Sequence, residues 1–235
     1  MAPQLGLGNS VSAEPVSTLI LGNTYSVDFD GTNDYVDIGF QPDFIHTNAT
    51  LSYWCNMDNF TGSQVMGSHN QRRFYAGFNN HTVFMGVQNQ NNLGSGTDLE
   101  PHTTAGKWHH ICLVANGGTA TYYVDGISRD TMSYTQDVAT NPNTNFFIGD
   151  TSGTAGYPME GLIDEVAIFD SALSAAQVSS IYNGGKPQSL TSYNPVGWWR
   201  MGDNDGGTGS TITDQGSGGN NGTLTNSPAF STTIP

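Results

Sequence analysis

Between Thr24 and Phe169 the chain repeats one pattern, a short apolar or alternating run followed by a cluster of Gly, Asn, Asp or Ser. A strand turns consecutive side chains to opposite faces, so such runs make half-buried strands, and the turn residues limit each to one crossing of a sheet. "TYSVDFDGTNDYVDIG" opens the series. Tyr25, Val27 and Phe29 share one face, "DGTND" turns, and Tyr35, Val36 and Ile38 resume, which predicts a hairpin with an acidic tip. Further strands are predicted at "ATLSYWCNM", "QVMGSH", "RRFYAGF", "TVFMGVQ", "WHHICLVAN", "TATYYVDGIS", "TNFFIGD" and "MEGLIDEVAIF". Turns at 116–119 ("NGGT"), 124–127 ("VDGI") and 149–156 ("GDTSGTAG") separate many of them. The pattern predicts an all-β fold, a two-sheet antiparallel sandwich or jelly roll.

One short helix interrupts the strands. Ser174 and Gln177 have capping-box spacing, and Leu173 and Val178 are placed to staple the first turn. Val178, Ile181 and Tyr182 line one face and Gly184 stops the helix, which is expected to cover one end of the sandwich. A chain of 235 residues with 30 glycines suits one large β domain, burying roughly 70% of its unfolded surface. Residues 1–21 are small and polar and read as an amino-terminal arm; residues 22–188 hold the sandwich. Residues 189–235 read as one strand and a glycine-rich arm that completes the sandwich in cis or in trans. If it is a strand, Trp199 and Met201 point into the core and Trp198 and Arg200 outward.

The formal net charge is −14, so nucleic acid and anionic membranes would be repelled. Cys55 and Cys112 each sit in an apolar run and read as buried free thiols, with one disulfide as the alternative. "MAPQLGLGNSVSAEP" lacks the basic and apolar regions of a secretory signal, and no 18-residue apolar run is present.

Asp164 and Glu165 are adjacent acids in an apolar run, open to three readings: catalysts, metal ligands or structural acceptors. Strand alternation sends neighbouring side chains to opposite faces, so the pair is not expected to flank one glycosidic bond. The same argument separates His109 from His110, and His46, His69, His81 and His102 have no partner at zinc-finger spacing. Residues 203–214 resemble an EF-hand loop but lack Gly at the sixth position and Glu at the twelfth. No nucleophile elbow or phosphate loop is present, and the protein is expected not to be an enzyme. Sugar binding needs aromatic faces beside amides and charged groups, which selects Tyr157, Phe78, Asn79, Asn80, Arg72 and Arg73 as ligand candidates.

Four stretches in order, "VDFDGTNDYVDIG", "LSYWCNM", "KWHHICLVANGGTATYYVDGIS" and "FFIGDTSGTAGYPMEGLIDEVAIFDSALSAAQVSSIYNGG", resemble the laminin-G-like branch of the concanavalin A-like lectin/glucanase superfamily. The resemblance implies a concanavalin A-like jelly roll and a single structural calcium held by Asp30, Asn33 and Asp164. In that family a segment resembling "VGWWRMGDNDGG…NNGTLTN" precedes the "FDG" stretch, whereas here it follows the helix, as in a circular permutation. The termini are similar to those of small marine phage proteins. That likeness implies a non-enzymatic, lectin-like structural protein of a virion, assembled in the host cytoplasm with copies of itself and other virion proteins, and able to touch a host-surface glycan. The alternative is an extracellular carbohydrate-binding adhesin, and a remote one is a glycoside hydrolase.

Overall fold

A computed structural model describes residues 22–39, 48–68, 73–88, 96–135, 145–150 and 156–235. Strands are numbered in chain order. The first sheet runs β15 (Ala229–Ser231), β1 (Ser26–Asp30), β11 (Glu160–Phe169), β3 (Asn48–Met57), β7 (Trp108–Asn116), β8 (Thr119–Val124) and β9 (Ile127–Ser133). An eighth strand, β12 (Gly197–Trp199), pairs with the second half of β11 on the side that β1 occupies along the first half. The second sheet runs β13 (Thr211–Ile212), β14 (Gly222–Thr225), β2 (Tyr35–Asp37), β10 (Phe147–Ile148), β4 (Ser63–Ser68), β5 (Arg73–Asn79) and β6 (Thr82–Gln88). The two antiparallel sheets stack as a sandwich of the predicted jelly-roll class.

Period-two alternation fills the space between the sheets. Val27 and Phe29 from β1, Leu51 and Tyr53 from β3, Phe74 and Phe78 from β5, and Ile111 and Leu113 from β7 lie in one buried cluster. Burying each such side chain is worth about 1.5–3 kcal/mol. Two buried phenols tie sheet to sheet: Tyr53 donates to the Ala76 carbonyl at 3.0 Å and Tyr122 to the Gly77 carbonyl at 2.9 Å. A buried tyrosine hydroxyl needs such a partner.

The "FDGTNDYV" segment is not a hairpin. Its two halves enter different sheets, β1 pairing with β11 and β15 while β2 pairs with β10 and β14. Alternation told which side chains face the core, but a turn that arches between sheets leaves the same alternation as one that folds a ribbon.

The helix α1 (Ala175–Tyr182) carries the predicted capping box: the Gln177 N–H donates to Ser174 Oγ and the Ser174 N–H to Gln177 Oε1. Asn183, in the left-handed region at φ 48°, ends it one residue before Gly184. It does not close an end of the sandwich. Leu173, Val178 and Ile181 pack with Cys112, Val114, Phe169 and Trp198 in a second cluster, on the outer face of the first sheet. Cys55 lies in the core between the sheets and Cys112 beneath the helix; both are free and buried. Burial pushes both thiols up. No described helix is long and apolar enough to cross a membrane.

Beyond Gln188 the chain contributes strands to both sheets of its own sandwich. β12 pairs with β11, β14 with β2, and β15 with β1, and the Ser26 hydroxyl reaches the Thr233 carbonyl at 2.8 Å. Trp199 and Met201 enter the main core, as alternation predicts. Trp198 and Arg200 face the other way, yet both are buried rather than exposed, because the outer face is itself covered here.

Candidate functional site

The acidic pair on β11 breaks the alternation used to separate it. Asp164 stands opposite Trp54 and Ala167 opposite Ser52, so Glu165 and Val166 together face Tyr53. This is a β-bulge, and Glu165 takes the left-handed turn within it at φ 48°. Ile163, Val166 and Ile168 all point into the main core. The extra residue is thus Glu165, whose carboxylate joins that of Asp164 on the outer face. There Glu165 accepts from Trp198 Nε1 at 2.6 Å and from Arg200 Nε at 3.0 Å. Asp164 accepts from Asn23 Nδ2 and from the Glu165 N–H. Arg200 also donates to Asp203 and to the Gly22 carbonyl, while Asp203 takes the N–H groups of Thr24 and Tyr25.

Burial, reinforced by the Glu165 charge, pushes the Asp164 carboxyl well above the usual carboxylate range. Burial also pushes Glu165 up to about 7, outweighing the nearby Arg200 guanidinium. Shifted carboxyls mark catalytic candidates. These two, however, are 0% and 3% exposed and filled with donors from the tail and the amino-terminal edge. The cluster joins the tail to β11, an inner strand of the first sheet.

The three expected calcium ligands do not converge. The register sets Asp30 opposite Glu160, four residues along β11 from Asp164 and so roughly 13 Å away at strand spacing. Asp30 Oδ1 instead accepts from the N–H groups of Thr32 and Asn33, closing the turn. Beside it Asp34, 5% exposed, takes the Asp30 N–H on Oδ2 and leaves Oδ1 without a partner. Among the described residues no group of three or more His, Cys, Asp or Glu side chains gathers around one point. The residues present therefore do not fit a site built from Asp30, Asn33 and Asp164. The aspartates of the EF-hand-like stretch are likewise spent on the chain: Asp205 takes Thr213, and Asp214 takes the N–H groups of Trp198, Gly216 and Asn220.

The histidines diverge as alternation predicts. His109 donates toward Asp125 at 2.9 Å and accepts the Thr104 N–H. His110 lies beneath the helix, clustered with the mutually stacked rings of Trp54 and Tyr182 and 2.8 Å from Ser52 Oγ.

Of the sugar candidates, Phe78 is a core ring set edge-on to Phe60, not an exposed platform. Inward alternation along β5 put it there. Tyr157 packs edge-on against Phe84, with Tyr75 beyond, on the outer side of the second sheet. Asn79 ends β5 and Asn80 opens the β5–β6 turn, where it exchanges hydrogen bonds with Gly62 through its own N–H and its Oδ1. Arg73 begins β5, and Arg72 lies outside the described residues.

A different group forms an open pocket. Gly31, Asn59, Thr61, Gly62, Gln64, Pro158 and Glu160 line a volume of about 230 Å³ where the β1–β2 turn, the β3–β4 loop and the start of β11 meet. Asn59 Nδ2 donates to the Glu160 carboxylate through a short contact. Asn59 Oδ1 accepts from the Thr61 N–H, the Thr61 hydroxyl and Gln64 Nε2. Gln64 Oε1 in turn takes the Glu160 N–H at 3.0 Å. Gly31, at φ 70°, lets the Glu160 stem lie against the turn: a Cβ there would stand 2.8 Å from Glu160 Cβ. No sequence motif marks these residues, and the hydrogen-bonded pair Asn59 and Glu160 lies 101 positions apart. The available signal was the turn "DNFTG" and the acid just before Gly161.

Residues 30–179 match the family model described as the concanavalin A-like lectin/glucanases superfamily. The chain belongs to this superfamily. Its fold resembles that of a Bacteroides ovatus protein provisionally described as carbohydrate binding (TM-score 0.69, 19% identity, 92% of this chain and 61% of that one). The chain thus spans about three-fifths of that protein's length. It also resembles a heptameric SAP-like pentraxin from Limulus polyphemus (TM-score 0.53, 17% identity, 70% and 85% of the two chains). A third likeness is to domain 4 of an extracellular arabinanase from Geobacillus stearothermophilus, solved with arabinotriose (TM-score 0.50, 18% identity, 67% and 76%). At these identities superfamily members share a fold with the chain and no more. No curated protein matches it.

Proposed function

We propose that this chain is a non-catalytic carbohydrate-binding module that seats a glycan in the Asn59–Gln64–Glu160 pocket. The observation that carries the reading is the open polar pocket itself, with a carboxylate and two amides fixed in place by one another. Sugar sites use such prepositioned groups to take hydroxyls. The carbohydrate-binding description of the Bacteroides ovatus protein and the arabinotriose bound to the arabinanase domain support the same reading. The enclosure of Asp164 and Glu165 supports the absence of hydrolysis.

A glycan array probed with the wild type and with Glu160→Ala tests it. At least one glycan should be retained by the wild type and lost by the variant while the thermal transition stays in place. Equal retention by both proteins, or release of reducing sugar, would overturn the proposal.

On the likeness of the termini, we further propose that the module is displayed on a phage virion as a capsid decoration or a tail or fibre component, with copies of itself and other virion proteins as partners. Mass spectrometry of purified particles tests this: the chain should be found in them, and its absence would sink the virion role while leaving glycan binding intact.

A further inference from the structure

The pocket's own hydrogen-bond account narrows what it can hold. Asn59 Oδ1 is occupied by three donors, from Thr61 N at 2.9 Å, Thr61 Oγ1 at 2.6 Å and Gln64 Nε2 at 3.2 Å. Gln64 is spent as well, its Oε1 on the Glu160 N–H and its Nε2 also on the Thr61 carbonyl at 3.0 Å. An ionised carboxylate offers about four lone-pair sites and a primary amide two hydrogens. The capacity left for a ligand is therefore most of the Glu160 carboxylate and the second hydrogen on Asn59 Nδ2. These are an acceptor and a donor held side by side by their own contact. Two hydroxyls on neighbouring carbons match that pair, one donating to Glu160 and the other accepting from Asn59.

Shape and charge narrow it again. A volume of about 230 Å³ falls below the roughly 300–1,000 Å³ of sites that enclose drug-sized ligands, leaving room for one sugar ring. Among the described residues no aromatic side chain lines the pocket, and Pro158 is its one apolar ring, so contact comes from hydroxyl edges and not from stacking. Among the described residues Glu160 is the sole charged one in the lining, with no Lys or Arg to receive an anion. The wall is also rigid, because Gly31 abuts the Glu160 stem and Asn80 pins Gly62 from behind. Such preorganisation spares the cost of ordering the site on binding.

Resting on the carbohydrate-binding reading, we infer that the pocket takes the terminal ring of a neutral glycan edge-on, reads one vicinal diol through Glu160 and Asn59, and rejects acidic sugars. A ring seated alone gains nothing from the units behind it, and a carboxylate in place of a hydroxymethyl group meets Glu160 as a like charge.

Isothermal titration of the full chain tests this with methyl glycosides of arabinose, galactose and glucose, their trisaccharides, and the galacturonic and glucuronic counterparts of the two hexoses. The Kd of the best methyl glycoside should lie close to that of its trisaccharide, and the matching uronic acid should bind at least about tenfold more weakly. Glu160→Gln should weaken neutral binding and shrink that discrimination. Tightening of about tenfold or more from one ring to three, or uronic acids bound as well as neutral sugars, would overturn the inference and leave the carbohydrate-binding reading standing. If no sugar gives heat and none shifts the Asn59 and Gln64 side-chain amide signals in NMR, both fall together.

Discussion

Arg200 Nε lies 3.0 Å from Glu165 Oε1, across 35 positions of sequence and in a site where both side chains are buried. One residue belongs to the tail and the other to the bulge in β11, so their contact fastens the last fifth of the chain to the first sheet. Replacing one member of a buried pair strands the other's charge, which costs about 3–5 kcal/mol. Arg200→Met should lower the free energy of unfolding by that order, and urea denaturation followed by tryptophan fluorescence measures it. Glu165→Gln, which leaves an acceptor for Trp198, should cost less.

The same carboxylate gives stability a pH dependence. Glu165 is raised in the folded state from its ordinary 4.5 to about 7, so its contribution is fully present below pH 4.5 and is lost as pH rises through 7. Asp164 is raised in the same direction. Thermal melts of the wild type against Glu165→Gln between pH 4.5 and 8 should show the wild type losing stability relative to the variant as pH rises.

His110 acts in the opposite sense. Burial lowers it from 6.5 to about 4, despite the nearby Asp125 charge, so the unfolded chain binds its proton first as pH falls. Stability is lost from pH 6.5 down to 4, by about 3 kcal/mol at 1.36 kcal/mol per pKa unit. In His110→Gln this acid loss should be absent, which denaturant titrations at pH 7, 5.5 and 4 will register.

Deleting Glu165 removes the extra residue of the bulge. Asp164 and Val166 would then alternate regularly, so Val166 and Ile168 keep facing the core and Ala167 and Phe169 keep facing the helix. The deletion variant should therefore still fold and keep its near-ultraviolet circular dichroism, at a lower denaturation midpoint because Trp198 and Arg200 lose their acceptor. Substitution of Glu165 by Gly keeps the bulge and should remain folded.

Gly31→Ala tests the pocket wall. A side chain at φ 70° costs about 1–2 kcal/mol, and its Cβ would displace the Glu160 stem. Glycan binding should fall more steeply than stability, as titration and melting of the same sample will tell.

Trp199 tests whether the tail is core. It is fully buried between the sheets and donates to the Asn220 carbonyl at 2.8 Å. Trp199→Ala should cost about 3–5 kcal/mol in chemical denaturation, whereas a tail merely draped over the domain would show almost none.

Much of the fold was legible because its rules are local. Alternation in "LSYWCNM" and "WHHICLVAN" assigns Leu51, Tyr53, Ile111 and Leu113 to one face without reference to any partner. Ser174 and Gln177 announce a helix start through a bond between residues three apart. The arch between β1 and β2 was not legible, since nothing within the turn records which sheet each half joins. Neither was the bulge, because Glu165 in a left-handed conformation carries none of the glycine signal that usually marks one.

The sequence by itself determined the all-β class, the core faces of the strands, the capped helix and the family. Each depends on spacings of two to four residues, set by the backbone's own geometry. Only the tertiary structure decided that Asp164 and Glu165 share a face, that Phe78 is core, and that Asn59, Gln64 and Glu160 meet at one pocket. Those outcomes depend on register and loop placement, which arise when segments 35 to 101 residues apart pack together and the pairing of many side chains is settled at once.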